Sequence, residues 1–208
     1  MAPNSIRHHR PGRRVRRGSW LAALILCVGL VPVGAPAADS EAVQDDAIAV
    51  LRTELGDVTL RLFPDSAPKA YENFTTHARN GYYDGVVFHR VVEDFMVQTG
   101  DPEGTGYGGR SIWGEPFANE IDPARAFDRP GVLAMANRGP ENTNDSQFFI
   151  TLVPTPWLTG HYTIFGEVVE GMDVVRQLGD LDVNPSNDRP IRDVHVETIT
   201  LREPGTGE

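Results

Sequence analysis

The stretch "GVVFHRVVEDFMVQTGDPEGTG", Gly85 to Gly106, reads as a strand, a tight turn and a second strand, with a permanent cation, Arg90, inside its apolar run. Side chains of an extended strand alternate between faces, so Phe88, Arg90 and Val92 share one side and Val87, His89 and Val91 the other. With the Val87 side taken as core, Arg90 stands outside it beside an apolar patch. The following strand brings Met96 and Gln98 to a common face, with Phe95 at its entry. The hairpin therefore gathers a cation, an amide and apolar side chains. An exposed arginine beside surface hydrophobes would look the same, so the hairpin alone assigns no function.

On the amino-terminal side, "IAVLRTELGDVTLRLF" alternates apolar and polar residues about Leu55-Gly56-Asp57, as two strands joined by a tight turn would. "SAPKAYENFTTHARNGYY" predicts an amphipathic helix: Ser66 as N-cap, Pro68 in the first turn, Ala70, Phe74 and Ala78 at intervals of four, and Gly81 as stop. Further along, short strands are expected at Val86–Val92, Met96–Thr99, Gly131–Ala136, Phe148–Leu152 and Thr163–Val169. A second helix is expected at Met172–Leu178 and a last strand at Arg192–Leu201. Many short strands and two helices favour a closed antiparallel barrel or a sandwich over a parallel doubly wound sheet, and the first and last strands are placed to pair.

The chain has 208 residues, 40% of them hydrophobic, enough for one well-buried domain. Residues 1–37 read as a signal peptide. Six arginines and no acid precede the apolar block Trp20–Val31, and Ala35-Pro36-Ala37 is a small-x-small cleavage site. The block is about a dozen residues, short of the roughly 20 that a membrane span needs. A twin-arginine signal fits poorly after Arg13-Arg14 or Arg16-Arg17. Residues 38–46 are a polar lead-in, 47–203 the domain and 204–208 a tail, so the mature protein is expected to be exported, periplasmic or secreted. Loss of the six arginines takes the formal charge from −10 to −16, which disfavours nucleic acid and anionic lipid as partners. The single cysteine, Cys27, lies in the apolar block without a lipobox, so neither a lipid anchor nor a disulfide is expected after cleavage.

Four motifs occur in order: FHR-x4-FM-x-Q from Phe88, MAN-x-GP from Met135, NT-x2-SQFFI from Asn142 and WL-x-G from Trp157. With them the chain, over roughly Ile48 to Leu201, resembles the cyclophilin family of peptidyl-prolyl cis-trans isomerases. The resemblance implies a mainly β fold, a closed eight-stranded antiparallel β-barrel with two capping α-helices. It implies Arg90 as the catalytic residue and Phe95, Met96, Phe149 and Leu158 as the proline pocket. Gln98, Ala136, Asn137 and Gln147 would be contacts along the peptide groove, and Trp157 would meet the peptide or a cyclosporin-type ligand. Glu141 stands as a one-residue insertion between two motifs. Where many members carry histidine in the pocket, counting from Trp157 reaches Tyr162, with His161 one place earlier; Tyr162 is therefore assigned to the pocket wall.

Other chemistries find little support. The run "GDPEGTGYGGRS" (Gly100–Ser111) lacks the Gly-Lys-Ser/Thr ending of a phosphate loop and is expected to be a flexible wall of the groove. His77, His89, His161 and His195 show no metal spacing, and His89 is expected to be a core or interface histidine. Ser146 and Thr151 have no nucleophile motif, and "NTNDS" (Asn142–Ser146) reads as a turn shaping the groove. The resulting expectation is a monomeric, cofactor-free isomerase acting on exposed Xaa-Pro bonds of folding polypeptides. The alternative is a proline-peptide-binding chaperone or assembly module with little turnover; retention of Arg90 with the pocket favours the enzyme.

Overall fold

A computed structural model describes residues 47–139 and 142–202. The signal-peptide, lead-in and tail readings, Cys27 and the Glu141 insertion lie outside the described residues. Two strands, β1 (Ala47–Thr53) and β2 (Gly56–Leu62), form a hairpin that leads to helix α1 (Pro68–Arg79). The motif region supplies β3 (Val86–Val87), β4 (Arg90–Val92) and β5 (Met96–Thr99), followed by β6 (Val132–Met135), β7 (Phe148–Thr151) and β8 (Ile164–Glu170). Helix α2 (Met172–Gly179), a small hairpin of β9 (Val183–Asn184) and β10 (Arg189–Pro190), and β11 (His195–Arg202) complete the order.

The main sheet runs β3-β11-β1-β2-β8-β6-β7-β5-β4, every pairing antiparallel. Its two ends, β3 and β4, are parts of one chain segment separated only by Phe88 and His89. That segment pairs with β11 through Val86 and Val87 and with β5 through Arg90 to Val92, so it draws the edges of a curled sheet together. Counted as one strand, it makes eight, as the sequence motifs imply. The expected pairing of first and last strands is present: β1 and β11 run in register from Ile48↔Arg202 to Leu51↔Ile199.

The interruption at Phe88–His89 departs from the single continuous strand over 86–92, with Val87 on the core side, that alternation alone predicts. Phe88 is buried in the interior and donates its amide to the Val194 carbonyl at 3.0 Å, whereas Val87 is only half-buried. A strict alternation would send Phe88 and Val91 to opposite faces. The break lets both enter the core while Arg90 stays outside.

The interior packs Leu51, Val58, Leu60, Val91, Val97, Leu133, Phe148, Ile150 and Phe165 from the strands, and Phe88 from the break between β3 and β4, against both helices. Helix α1 contributes Ala70, Phe74 and Ala78, the apolar stripe expected from the four-residue spacing, and α2 contributes Val174, Val175 and Leu178. The Phe74 ring meets Phe148 edge-on at 5.3 Å and Phe165 at 5.2 Å. Gly100 ends β5 at φ +89, where a Cβ would lie 2.5 Å from the Ser146 carbonyl oxygen, so close approach of the two loops requires glycine there.

The start of α1 differs from the sequence expectation. Ala67, not Ser66, occupies the N-cap position and gives no side-chain cap; the Ser66 hydroxyl donates to Asp122 at 2.6 Å. The first-turn amides of Lys69 and Ala70 donate instead to the Glu120 carboxylate, at 3.0 and 2.9 Å. A carboxylate fifty residues away thus satisfies two otherwise unpaired helix donors and sits at the positive end of the helix dipole. Glu120→Ala should lower unfolding stability by about 1 kcal/mol, read as a shift in the urea midpoint at unchanged slope.

Candidate active site

The ladder β4-β5-β7-β6 has two unlike faces. Val91, Val97, Ile150, Phe148, Leu133 and Met135 point into the barrel. Their neighbours form a second apolar cluster on the outside, made of Met96, Val132, Ala134 and Phe149 with Phe63, Phe127, Leu158 and Ile164; Val92, Phe95, Ala136 and Tyr162 pack on it. Registers Arg90↔Gln98, Gln98↔Phe149 and Ala134↔Phe149 set four residues in a row across this outer face. A cation and an amide therefore lie at the margin of an aromatic floor.

A cleft of about 120 Å³ opens on that floor, lined by Arg90, Phe95, Met96, Gln98, Ala136, Asn137, Phe149, Leu158 and Tyr162. Phe149 forms its base: it stacks on Phe127 at 5.9 Å between centroids and meets Tyr162 edge-on at 5.6 Å. Leu158 comes from a 3-10 turn, Pro156–Leu158, where the sequence pattern predicts no element. Tyr162 faces the cleft, while His161, its exposed neighbour, offers its backbone carbonyl to Asn119 and Asn137 at 2.9 and 3.1 Å. Asn119, which the motifs did not bring to notice, steadies the Asn137 side of the groove and also accepts from Asn144 at 2.9 Å.

Two expected groove residues stand apart from this cleft. Gln147 lines an adjoining one of about 70 Å³, which shares Gln98, Ala136 and Asn137 with the first. Its amide is engaged: the oxygen accepts from Gln98 at 2.9 Å, and the nitrogen donates to Gly106 and Gly108 carbonyls at 3.2 and 2.9 Å. Trp157 is 63% exposed and lies outside the cleft wall, stacked on Phe95 at 6.3 Å. Its neighbour Leu158 turns inward, so the turn presents one apolar side chain to the cleft and the other to solvent.

The glycine-rich run is tied down more firmly than its composition suggests. Asp101, fully buried, accepts hydrogen bonds from the amides of Glu103, Thr105, Gly106 and Gly108 and from the Thr105 hydroxyl. Burial raises the pKa of this carboxyl, and the four amides outweigh it, holding the group below its ordinary value. Composition advertises a mobile loop; one buried anion makes it a shaped wall.

Arg90 enters the cleft from the strand edge with its side chain 41% exposed, and its Nε donates to the Asp188 carboxylate at 3.3 Å. His89 is buried away from the cleft, and burial pushes its imidazole below the ordinary value against a smaller upward pull from Asp101. Burial therefore favours the neutral imidazole, and the ring lies behind Gly106 without lining either cleft. The Ser146 hydroxyl is buried and donates to the Gly100 carbonyl at 2.7 Å, and that of Thr151 donates to the Arg129 carbonyl at 3.3 Å, so both serve the scaffold. Among the described residues no cluster of His, Cys, Asp or Glu could hold a metal ion, and no helix is long and apolar enough to cross a membrane.

Comparison with known proteins bears on this cleft. The family described as cyclophilin type peptidyl-prolyl cis-trans isomerase/CLD matches residues 48–201. A peptidyl-prolyl cis-trans isomerase-like 1 protein of Aspergillus fumigatus is 52% identical over 156 residues, covering 75% of this chain and 96% of its own. Human peptidylprolyl isomerase domain and WD repeat-containing protein 1 is 52% identical over 154 residues, and the match spans 74% of this chain but only 24% of that protein. Among solved structures, a cyclophilin type isomerase from Cryptosporidium parvum is 38% identical with a TM-score of 0.74, covering 76% of this chain and 98% of that one. A second structure of it, obtained in the presence of the dipeptide Ala-Pro, gives a TM-score of 0.72 at the same identity, covering 75% and 99%. The chain belongs to the cyclophilin-type peptidyl-prolyl cis-trans isomerase family.

Because Phe149 is both cleft floor and packed ring, Phe149→Ala should cost about 3–5 kcal/mol of stability. Thermal unfolding of the purified domain would show the loss, and an unchanged midpoint would mean that the ring is not load-sharing with Phe127.

Proposed function

We propose that this member of the cyclophilin family catalyses cis/trans rotation about Xaa-Pro bonds of polypeptides, with Arg90 as the catalytic residue and the outer apolar floor as the proline pocket. The observation that carries the reading is that the half-exposed Arg90 side chain and the apolar walls Phe95, Met96, Phe149, Leu158 and Tyr162 open onto one cleft. An arginine that served only solubility would not need to share a concave surface with buried rings.

Rotation about a peptide bond meets a barrier of about 18–20 kcal/mol because the nitrogen lone pair is delocalised into the carbonyl. Proline brings cis and trans within roughly 0.5–1 kcal/mol but leaves exchange slow, at tens to hundreds of seconds. No bond breaks and no proton need move. In the half-rotated state the nitrogen becomes pyramidal and recovers its lone pair. A guanidinium, always charged and carrying donors in a fixed plane, hydrogen-bonds that nitrogen or the adjacent proline carbonyl more strongly when the amide is twisted than when it is flat.

The remaining residues orient the substrate. Phe95, Met96, Phe149, Leu158 and Tyr162 hold the pyrrolidine ring and exclude water, which strengthens the guanidinium's hydrogen bond. Gln98, Ala136, Asn137 and Gln147 flank the adjoining cleft and would hold the chain beside the proline, so that one end of the amide is fixed while the other turns. The exposed, stacked Trp157 supports contact with longer peptides or a cyclosporin-type ring beyond the pocket. No step calls for a cofactor, and the domain needs no second copy to complete the cleft.

Exchange spectroscopy on a short Ala-Pro peptide tests the reading. Wild-type protein should accelerate interconversion, and Arg90→Ala should slow it by about a hundredfold or more while the fold is kept. An unchanged rate in Arg90→Ala would remove the arginine from the mechanism; a wild-type rate equal to buffer would leave a peptide-binding module.

We propose in addition that the domain works after export. The support is the amino-terminal sequence alone, its six arginines, apolar block and Ala35-Pro36-Ala37; the eukaryotic relatives named above add nothing to it. Mass analysis of protein from an expressing bacterium should find a mature species beginning near Ala38 outside the cytoplasm, and full-length protein retained inside would sink the idea.

A further inference from the structure

Asp188 lies 98 residues from Arg90 in sequence, in the turn between β9 and β10, and its carboxylate is the acceptor for the Arg90 Nε at 3.3 Å. The turn is held to the catalytic strand independently of that contact, because the Val91 amide donates to the Asp188 carbonyl at 2.8 Å. Asp188 itself adopts φ +57, a left-handed conformation uncommon for a residue with a side chain. Its amide donates to the Asn184 carbonyl at 2.9 Å, and Asn184 and Asn187 side chains accept from Ser186 and Arg189 amides. A compact network therefore holds a carboxylate at the back edge of a guanidinium whose other side faces the cleft.

We propose that Asp188 is a positioning residue for the proposed reaction: it takes the Nε–H of Arg90 and so leaves the terminal Nη donors directed at the twisted proline amide. This rests on the reading of Arg90 as the catalytic group. A half-exposed ion pair of this kind adds little to stability. Its contribution is to orientation, since a long side chain tethered at Nε samples fewer rotamers before each turnover. The adjacent Arg189 extends the same arrangement: it donates to the Gly104 carbonyl and pairs with Asp193 at 3.0 Å, so the β9–β10 turn also anchors the glycine-rich wall.

Asp188→Gly suits the test because glycine accepts φ +57 without strain while removing the carboxylate. Two measurements are needed: kcat/KM on an Ala-Pro peptide by exchange spectroscopy, and the Nε–Hε resonance of Arg90, assigned by its loss in Arg90→Ala. Asp188→Gly should cut kcat/KM roughly five- to twentyfold, mainly through kcat, and move the Nε–Hε signal toward the position and solvent exchange of free arginine. Asp188→Asn, which keeps an acceptor oxygen, should recover most of both, and exposed Ser186→Ala in the same turn should change neither. A wild-type rate in Asp188→Gly, with or without a moved resonance, overturns the assignment. So does a lowered rate with an unmoved resonance, which would mean that the turn acts by another route. Loss of turnover in Arg90→Ala alongside an unaffected Asp188→Gly sinks this proposal alone, whereas an active Arg90→Ala sinks the arginine's role and this one with it.

Discussion

Alternation across the pleat of β4, β5 and β7 is the constraint on which both core and cleft depend. Val91, Val97, Phe148 and Ile150 fill the barrel, and the residues between or beside them, Arg90, Met96, Gln98 and Phe149, form the outer floor. A one-residue slip of β4 would turn Arg90 into the barrel, and a slip of β7 would turn Phe148 out of it. Strong apolar packing on the inner face therefore fixes the register on which the outer geometry relies, and scaffold stability and site geometry share one cause.

The same economy appears at the ends of the sheet. Residues 86–92 pair with β11 on one side and β5 on the other, and the break at Phe88–His89 allows the segment to serve both partners. Closure through a single segment leaves Arg90 at the seam, where the β9–β10 turn can reach it from outside the barrel. Each functional wall is held by a buried polar anchor: Asp101 for the glycine-rich loop, and Asn73, which donates to the Asp145 carbonyl at 2.8 Å and accepts from the Ile112 amide at 2.9 Å, for the segment leading to Gln147. These polar groups hold loops where hydrophobic packing cannot, because a loop carries backbone donors and acceptors that require partners.

Much of the site could be read in one dimension because its residues cluster in four short motifs on regular strands or beside them. Arg90, Phe95, Met96 and Gln98 fall within one hairpin, and Tyr162 follows from counting out of Trp157. What counting could not supply was direction. Trp157 and Leu158 are adjacent in the chain, yet only Leu158 lines the cleft, because a 3-10 turn rotates successive side chains apart. Gln147 sits in the expected segment, but its amide is committed to Gln98 and to the glycine-rich loop.

Periodicity, turn residues and motif order were enough to set the longer strands, both helices, the mainly β, antiparallel character and the family, since each depends on residues near one another in sequence; the two-residue strands β9 and β10 and the break at Phe88–His89 carry no such pattern. Tertiary structure alone decided the partners: Glu120 capping α1 in place of Ser66, Phe88 turning inward, Asp101 stiffening a glycine-rich loop, and Asp188 meeting Arg90. Those contacts join residues up to about a hundred positions apart. Hydrogen bonds and ion pairs act over a few ångströms in space, and a linear pattern carries no record of which distant side chains folding will bring to that distance.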